Sequence, residues 1–399
     1  MTAAVSPESA SAALRDGDPG LDAQRSTRRK DLGQADLVRA AAAILVVVIH
    51  CTPWPSHATT AAASFYNAMN LLSLVSVPLF VVLSGLLLAY SNPTIKPRGQ
   101  FWSRRLRRTL LPWLLWAGIY FPLTVGFGGM SPAPAADWGW WAGGAGHLYF
   151  LVLIPQLYVL YLVWPKGRVS SVVAMGLAVS AQVVLQLLRV VLPIHGGAGQ
   201  IFLLDYGFEE APFWMGYFAI GVVLGVHPEW LRSSRWQRWF ALPLTLAAAA
   251  ILLAGLPGRI ATNWGPWVGG TGGFLRPSLV LLTAVVFFDL WALSTFLETR
   301  LRPWQRRTVV SLSRHSLGIY VTHPIFLLGV GPLMEMMPRP VSLQEGLPWS
   351  LLPFGILVVG ATAFGWFVSS QLASHRETAW AVGESTRRPA RGLGQASSS

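Results

Sequence analysis

The chain has 399 residues, of which 53% are apolar and only 12% charged, about half the charged share of an ordinary soluble domain. The apolar residues come in blocks long enough to cross a ~30 Å hydrocarbon core, which excludes a soluble enzyme and predicts an all-α polytopic membrane protein. One cysteine, Cys51, excludes an internal disulfide or a cysteine-based metal site. The formal net charge of +13 has to be located before nucleic acid is invoked as a partner.

In chain order, residues 1–35 are rich in Ala, Ser and charge and are expected to form a disordered cytosolic tail. They do not read as a signal peptide, because the apolar run starts too late and no small-residue cleavage site follows it. Residues 36–372 form the membrane domain, with about ten expected transmembrane helices near 36–53, 68–90, 109–127, 147–164, 170–192, 211–226, 239–256, 274–293, 309–331 and 349–372. The sixth is short for a full crossing. No internal repeat is visible, which argues against a transporter built from inverted halves. Residues 373–399 read as a second disordered cytosolic tail.

With both termini placed in the cytosol, only Arg259 and Arg339 fall in outer loops. Arg39, Arg189, Arg276 and Arg314 fall within spans, and every other Lys and Arg lies on the inner side. This is the positive-inside distribution, so the basic excess sets orientation and no nucleic-acid partner is expected. The nineteen Trp, many near span ends, fit an interfacial aromatic belt.

The first span carries the leading chemical signal. Asp36-Leu37-Val38-Arg39 is followed by ten apolar residues and His50. Eleven residues are three helical turns plus about 20°, so Arg39 and His50 share a face about 16 Å apart along the axis. Charged and ionisable groups inside a membrane normally face a protein interior or a wet cavity. The plainer alternative is an arginine snorkelling to the headgroups and a histidine bonded to a neighbouring helix. Cys51 follows His50 directly, but neighbours on a helix diverge by about 100°, so a shared nucleophilic site is not expected.

Between the second and third spans, Arg104, Arg105, Arg107 and Arg108 abut the membrane on the inner side. Guanidinium forks suit phosphate groups, so a phosphorylated cytosolic ligand could dock here; on charge alone, positive-inside anchoring or contact with anionic lipid is the plainer alternative. Further along, Gly146-His147 opens the fourth span on the outer side, and Asp289 is an intramembrane acid expected to pair with a basic residue. In the ninth span, Ser316, Tyr320 and His323 lie at offsets of four and seven, within about 40° of one another on a helix. No Gly-x-Ser-x-Gly elbow, phosphate-binding loop or clustered metal pattern is present.

The ordered set Arg39-x10-His50, Phe80 with Ser84-Gly85, Arg104-Arg105-x-x-Arg108, Gly146 to Phe150 with Tyr158, and Ser316-x3-Tyr320-x2-His323 resembles the acyltransferase-3 family of membrane acyltransferases. Within it, the stretch from His50 to Trp54, Asn70, and Ser76 to Phe80 look most like O-acetyltransferases of surface polysaccharides of the enterobacterial-common-antigen type. Tyr149 stands where the family often has Trp, and the spacing from Arg108 to Pro112 looks one residue longer than usual. The resemblance implies a multi-pass protein of the plasma membrane and acetyl-CoA or another acyl-CoA as donor substrate, with no permanently bound cofactor and no metal. It implies O-acylation of a hydroxyl on a cell-surface glycan or glycolipid. It makes His50 catalytic and Arg39 its motif partner, with Tyr320 or His323 as candidates to polarise the thioester. Arg104, Arg105 and Arg108 become the expected binding residues for the donor's phosphates. The competing readings are a transporter or flippase using His50, Arg39 and Asp289 as a polar path, or an acyltransferase acting on a lipid or small secondary metabolite.

Overall fold

A computed structural model of the chain describes residues 33–52, 60–91, 98–127, 146–165, 167–191, 209–232, 243–247, 249–250, 274–336 and 347–384. Among these residues all regular structure is helical. The main helices are α1 (Gly33–Cys51), α2 (Thr60–Ser73), α3 (Ser76–Ser91), α4 (Arg98–Phe127), α5 (Tyr149–Val163) and α6 (Arg168–Val191). They continue with α7 (Met215–Val226), α8 (Pro277–Leu297), α9 (Pro303–Arg314), α10 (Ser316–Met336) and α11 (Leu347–Ser374). Six segments of the described residues are long and apolar enough to cross a membrane, and α7 and Ser316–Val330 are shorter apolar helices. The span expected near 239–256 falls largely outside the described residues, as do most of both expected tails.

The chain is an all-α polytopic membrane protein. Its outward-facing side chains agree: α6 exposes Val169, Val173, Leu177 and Val184, and α11 exposes Leu352, Ile356, Val359 and Phe367, apolar faces of the extent that lipid covers. Lipid tails are as apolar as the helix faces, so close packing holds the bundle together rather than a hydrophobic drive between helices. The α3–α7 pair shows how. A Cβ on Gly85 would strike the Phe218 carbonyl oxygen, and one on Gly221 would strike that of Val82. Only glycine lets these two backbones touch. α7 is too short to cross alone, and α3 compensates by covering it along its length.

α1 sits at the centre, in contact with α2, α3, α8, α9, α10 and α11. That position surrounds its polar residues with protein. Asn70 of α2 finishes the helix: its amide donates to the Ile49 carbonyl at 3.1 Å and to Thr52 Oγ1 at 2.7 Å. Cys51, next to His50, is buried in an apolar cluster with Tyr66 and Phe354.

Four local differences separate the sequence expectation from the structure. The second expected span breaks at Leu74–Val75 into α2 and α3. The arginine cluster expected in a loop belongs to α4, a single helix of 30 residues, about 45 Å long, that carries it from the basic face into the bundle. The ninth span begins at Ser316 rather than 309. Residues 303–314 form a separate helix, α9, started by Pro303 at its first position and by Gln305, whose side chain accepts the Arg302 N–H at 2.8 Å. His315 breaks it from α10. Finally, residues 375–384, expected in a disordered tail, fold back on the domain. The indole of Trp116 in α4 donates to the Ala381 carbonyl at 2.8 Å, and Arg314 pairs with Glu384 at 2.9 Å.

Candidate functional site

Because α1 is unbroken from Gly33 to Cys51, the Arg39–His50 spacing survives in the structure, and each residue meets a different set of partners. His50 meets two other histidines. His50 Nδ1 lies 2.9 Å from the Val46 carbonyl oxygen and 3.2 Å from Nε2 of His323. His323 Nδ1 lies 2.9 Å from the Ile319 carbonyl oxygen. A carbonyl oxygen only accepts, so in the neutral rings both Nδ1 atoms carry the proton. His50 Nδ1–H is then shared between Val46 and His323 Nε2, and His50 Nε2 keeps its lone pair. Among the described residues no hydrogen bond occupies that nitrogen. The His50 side chain is exposed, whereas His323 is fully buried. The first ring is reachable and the second supports it.

The third ring is His147, which the motif at the start of the fourth span placed on the outer side without tying it to His50. Its ring centroid lies 6.2 Å from His50 and 6.1 Å from His323. Gly146 turns the chain into this position with φ of +71°, a left-handed conformation that favours glycine. Tyr320 of α10 donates its hydroxyl proton to the His147 backbone carbonyl. Tyr120 of α4 packs its ring edge-on to His147 at 4.5 Å and donates its hydroxyl to the Val321 carbonyl at 2.7 Å. Tyr320 and His323 therefore share the site with His50, as their common helix face suggested. The Tyr320 proton and the His323 Nδ1 proton are already committed to backbone carbonyls. Among the described residues, no group of three or more His, Cys, Asp or Glu is arranged to hold a metal ion.

At the other end of α1, Ser313 of α9 links the two charged residues of the first turns. Its hydroxyl donates to Asp36 Oδ1 at 2.6 Å and accepts from Arg39 Nη1 at 3.4 Å. Tyr158 of α5 lies near Arg39, and the Arg105 guanidinium lies 4.7 Å above that same tyrosine ring. Tyr158 thus stands between Arg39 and the arginine cluster of α4. Arg108 is exposed on the same helix; the Arg104 side chain lies outside the described residues. Ser316 is buried at the start of α10. Asp289 accepts a hydrogen bond from Thr245.

Two acids precede α7. Gln156 of α5 fixes the segment before α7, donating to the Glu209 carbonyl at 2.7 Å and accepting from the Ala211 N–H at 3.2 Å. Burial pushes the carboxyl groups of Glu209 and Glu210 up to about 7, and at Glu209 the neighbouring Glu210 adds to the rise.

Sequence reasoning missed Tyr120 and Ser313. Tyr120 is one hydroxyl in an apolar run, and the only available signal was that a phenol inside a membrane requires a partner. Ser313 fell inside an expected span and gave no signal of its own.

The family model described as an acyltransferase domain matches residues 32–370. No curated protein and no solved structure matches the chain. The match covers α1 through most of α11, including every histidine, tyrosine and arginine described above, and the chain belongs to the acyltransferase-3 family.

Proposed function

We propose that this membrane acyltransferase moves an acetyl group from cytosolic acetyl-CoA to a hydroxyl of a cell-surface glycan or glycolipid at the plasma membrane, with His50 Nε2 as the base. The observation that supports the reading is the orientation of the His50 ring. Its Nδ1–H is held by Val46 and His323, its other nitrogen has no hydrogen bond among the described residues, and the residue is exposed. A base needs that lone pair, and a neutral imidazole supplies it near pH 7.

The donor's phosphates dock on Arg104, Arg105 and Arg108, since guanidinium forks suit phosphate oxygens. The acyl arm runs inward past Tyr158 and Arg39 towards the histidines. The acceptor comes from the side of Glu209 and Glu210. His50 Nε2 takes the proton of the acceptor hydroxyl as its oxygen attacks the thioester carbonyl. His323 Nε2, the acceptor for His50 Nδ1–H, stabilises the imidazolium that forms. Collapse of the tetrahedral oxyanion expels the coenzyme A thiolate, which takes the proton back from His50. The oxyanion needs a donor, and Tyr320 and His323 have none to spare. We assign that role to His147, whose ring stands 6.2 Å from that of His50 and 6.1 Å from that of His323. Tyr320 is then a positioning residue, holding the His147 backbone. The same His50 lone pair serves a path in which the imidazole carries the acyl group transiently.

The experiment is transfer of radiolabelled acetyl from acetyl-CoA, supplied to inside-out membrane vesicles, into the extractable glycan fraction. Label in that fraction, absent from vesicles lacking the protein, supports the reading. Label only in lipid or in small molecules reassigns the acceptor, and no acyl-CoA consumption with any acceptor removes acyl-CoA as the donor.

A further inference from the structure

A groove of about 560 Å³ lies between α1, α9 and α11, apart from the histidine site. Its apolar walls include Ile44 of α1 with Val358 and Val359 of α11, and its polar rim includes Arg307 and Ser311 of α9 with Trp366 of α11. The volume falls within the ~300–1,000 Å³ range of ligand pockets. From Val358 to Trp366 is two helical turns, about 12 Å, so apolar wall and polar rim separate along the membrane normal. The Trp366 indole donates to Ser311 Oγ at 2.8 Å, as a tryptophan at the headgroup level would. α9 presents Arg302, Arg306, Arg307 and Arg314 on the side of the membrane where the basic residues concentrate, and Arg307 faces the groove.

We infer that this groove holds one anionic phospholipid, its phosphate on Arg307 and an acyl chain against Ile44, Val358 and Val359. The choice of occupant follows from charge and shape. A guanidinium at the inner surface selects an anionic headgroup over a zwitterionic one, and the apolar wall beneath it fits a chain rather than a free phosphate. The site has a consequence for the chemistry. α9 also carries Ser313, which bridges Asp36 and Arg39. A lipid that presses α9 against α1 therefore stabilises the end of α1 that faces the donor. The inference rests on the membrane character of the chain and is independent of which acyl group or acceptor is used.

The test is lipid retention, read by mass spectrometry of phospholipid extracted from protein purified in mild detergent, and phosphatidylglycerol binding to delipidated protein. Wild type retains phosphatidylglycerol in preference to phosphatidylethanolamine. Arg307→Gln lowers phosphatidylglycerol affinity about fivefold, which is ~1 kcal/mol per basic residue at 1.4 kcal/mol per tenfold, and loses the headgroup preference. Ala363→Trp fills the groove and removes the retained lipid; Val359→Trp, at a position 68% exposed and so harmless to packing, does the same. Arg376→Gln, beyond the end of α11 and not among the residues lining the groove, changes nothing. Equal retention and headgroup preference in wild type, Arg307→Gln and Val359→Trp would overturn the inference. So would disulfide cross-linking of Val359→Cys between two copies in delipidated protein, which would make the groove a subunit contact.

Discussion

Replacing His323 with alanine separates the two histidines that meet at 3.2 Å. In the structure His323 accepts the His50 Nδ1–H through Nε2 and is itself anchored to the Ile319 carbonyl. The Val46 carbonyl remains as a partner for His50 in the variant, so the ring keeps its tautomer and loses only its second acceptor. The loss is felt when His50 becomes cationic, because hydrogen bonds to charged groups are worth ~1.5–3 kcal/mol. At 1.36 kcal/mol per decade of rate, kcat should fall about 10- to 150-fold, with the KM for the acyl donor unchanged. His323→Gln, which offers an amide oxygen at a similar reach, should recover part of the loss. The assay is steady-state acyl transfer by membranes containing equal amounts of each variant. Complete loss in His323→Ala would make His323 the base. An unchanged kcat would show that the imidazole contact plays no part in the transition state.

Tyr320→Phe leaves the half-buried His147 carbonyl without this donor, which should cost ~1 kcal/mol of stability and lower kcat without changing donor KM; an unaltered melting temperature and rate would remove Tyr320 from the positioning role. Arg105→Ala with Arg108→Ala should raise the KM for acyl-CoA at least tenfold, from the loss of one or more charge-assisted phosphate contacts of ~1.5–3 kcal/mol, while insertion stays normal; an unchanged KM in inserted protein would leave the cluster as an anchor only. Glu209 and Glu210 sit at about 7 in the folded protein, above the ordinary value of about 4.3. The folded state therefore holds more protons than the unfolded state between those values, and its stability is fullest below about pH 4.5 and declines as pH rises towards 7. Melting temperature in detergent should fall from pH 5 to pH 7.5 and level off above. The double substitution Glu209→Gln, Glu210→Gln should flatten the curve, and an equal slope in the variant would contradict the burial argument.

Much of this arrangement is visible in the sequence because a membrane penalises polar side chains so strongly. Arg39 and His50 stand out against ten apolar neighbours, and helical periodicity alone puts them on one face. The same rule picks out Tyr320 and His323. What the sequence does not contain is the meeting of elements far apart in the chain. That His323 supports His50, and that His147 and Tyr120 complete the cluster, depends on α4, α5 and α10 converging on the end of α1. Ser313 joins Asp36 to Arg39 across more than 270 residues, and no local pattern announces it. The break at His315 was hidden because α9 ends in residues apolar enough to extend the following span. The folded segment Ala379–Val382 was hidden because its polar surroundings suggest a tail, whereas its order comes from Trp116 and Arg314, which lie elsewhere.

The central claim is that the free Nε2 of His50 performs the proton transfer. The most direct measurement compares wild type, His50→Ala and His50→Gln for acyl transfer at equal membrane abundance, alongside their melting temperatures. One hydrogen bond between membrane helices averages ~0.6 kcal/mol, so all three should fold and insert alike. Both variants should show no transfer above background, because neither side chain carries a basic nitrogen. Substantial transfer by His50→Gln would contradict the claim and move the reactive centre to His147 or His323.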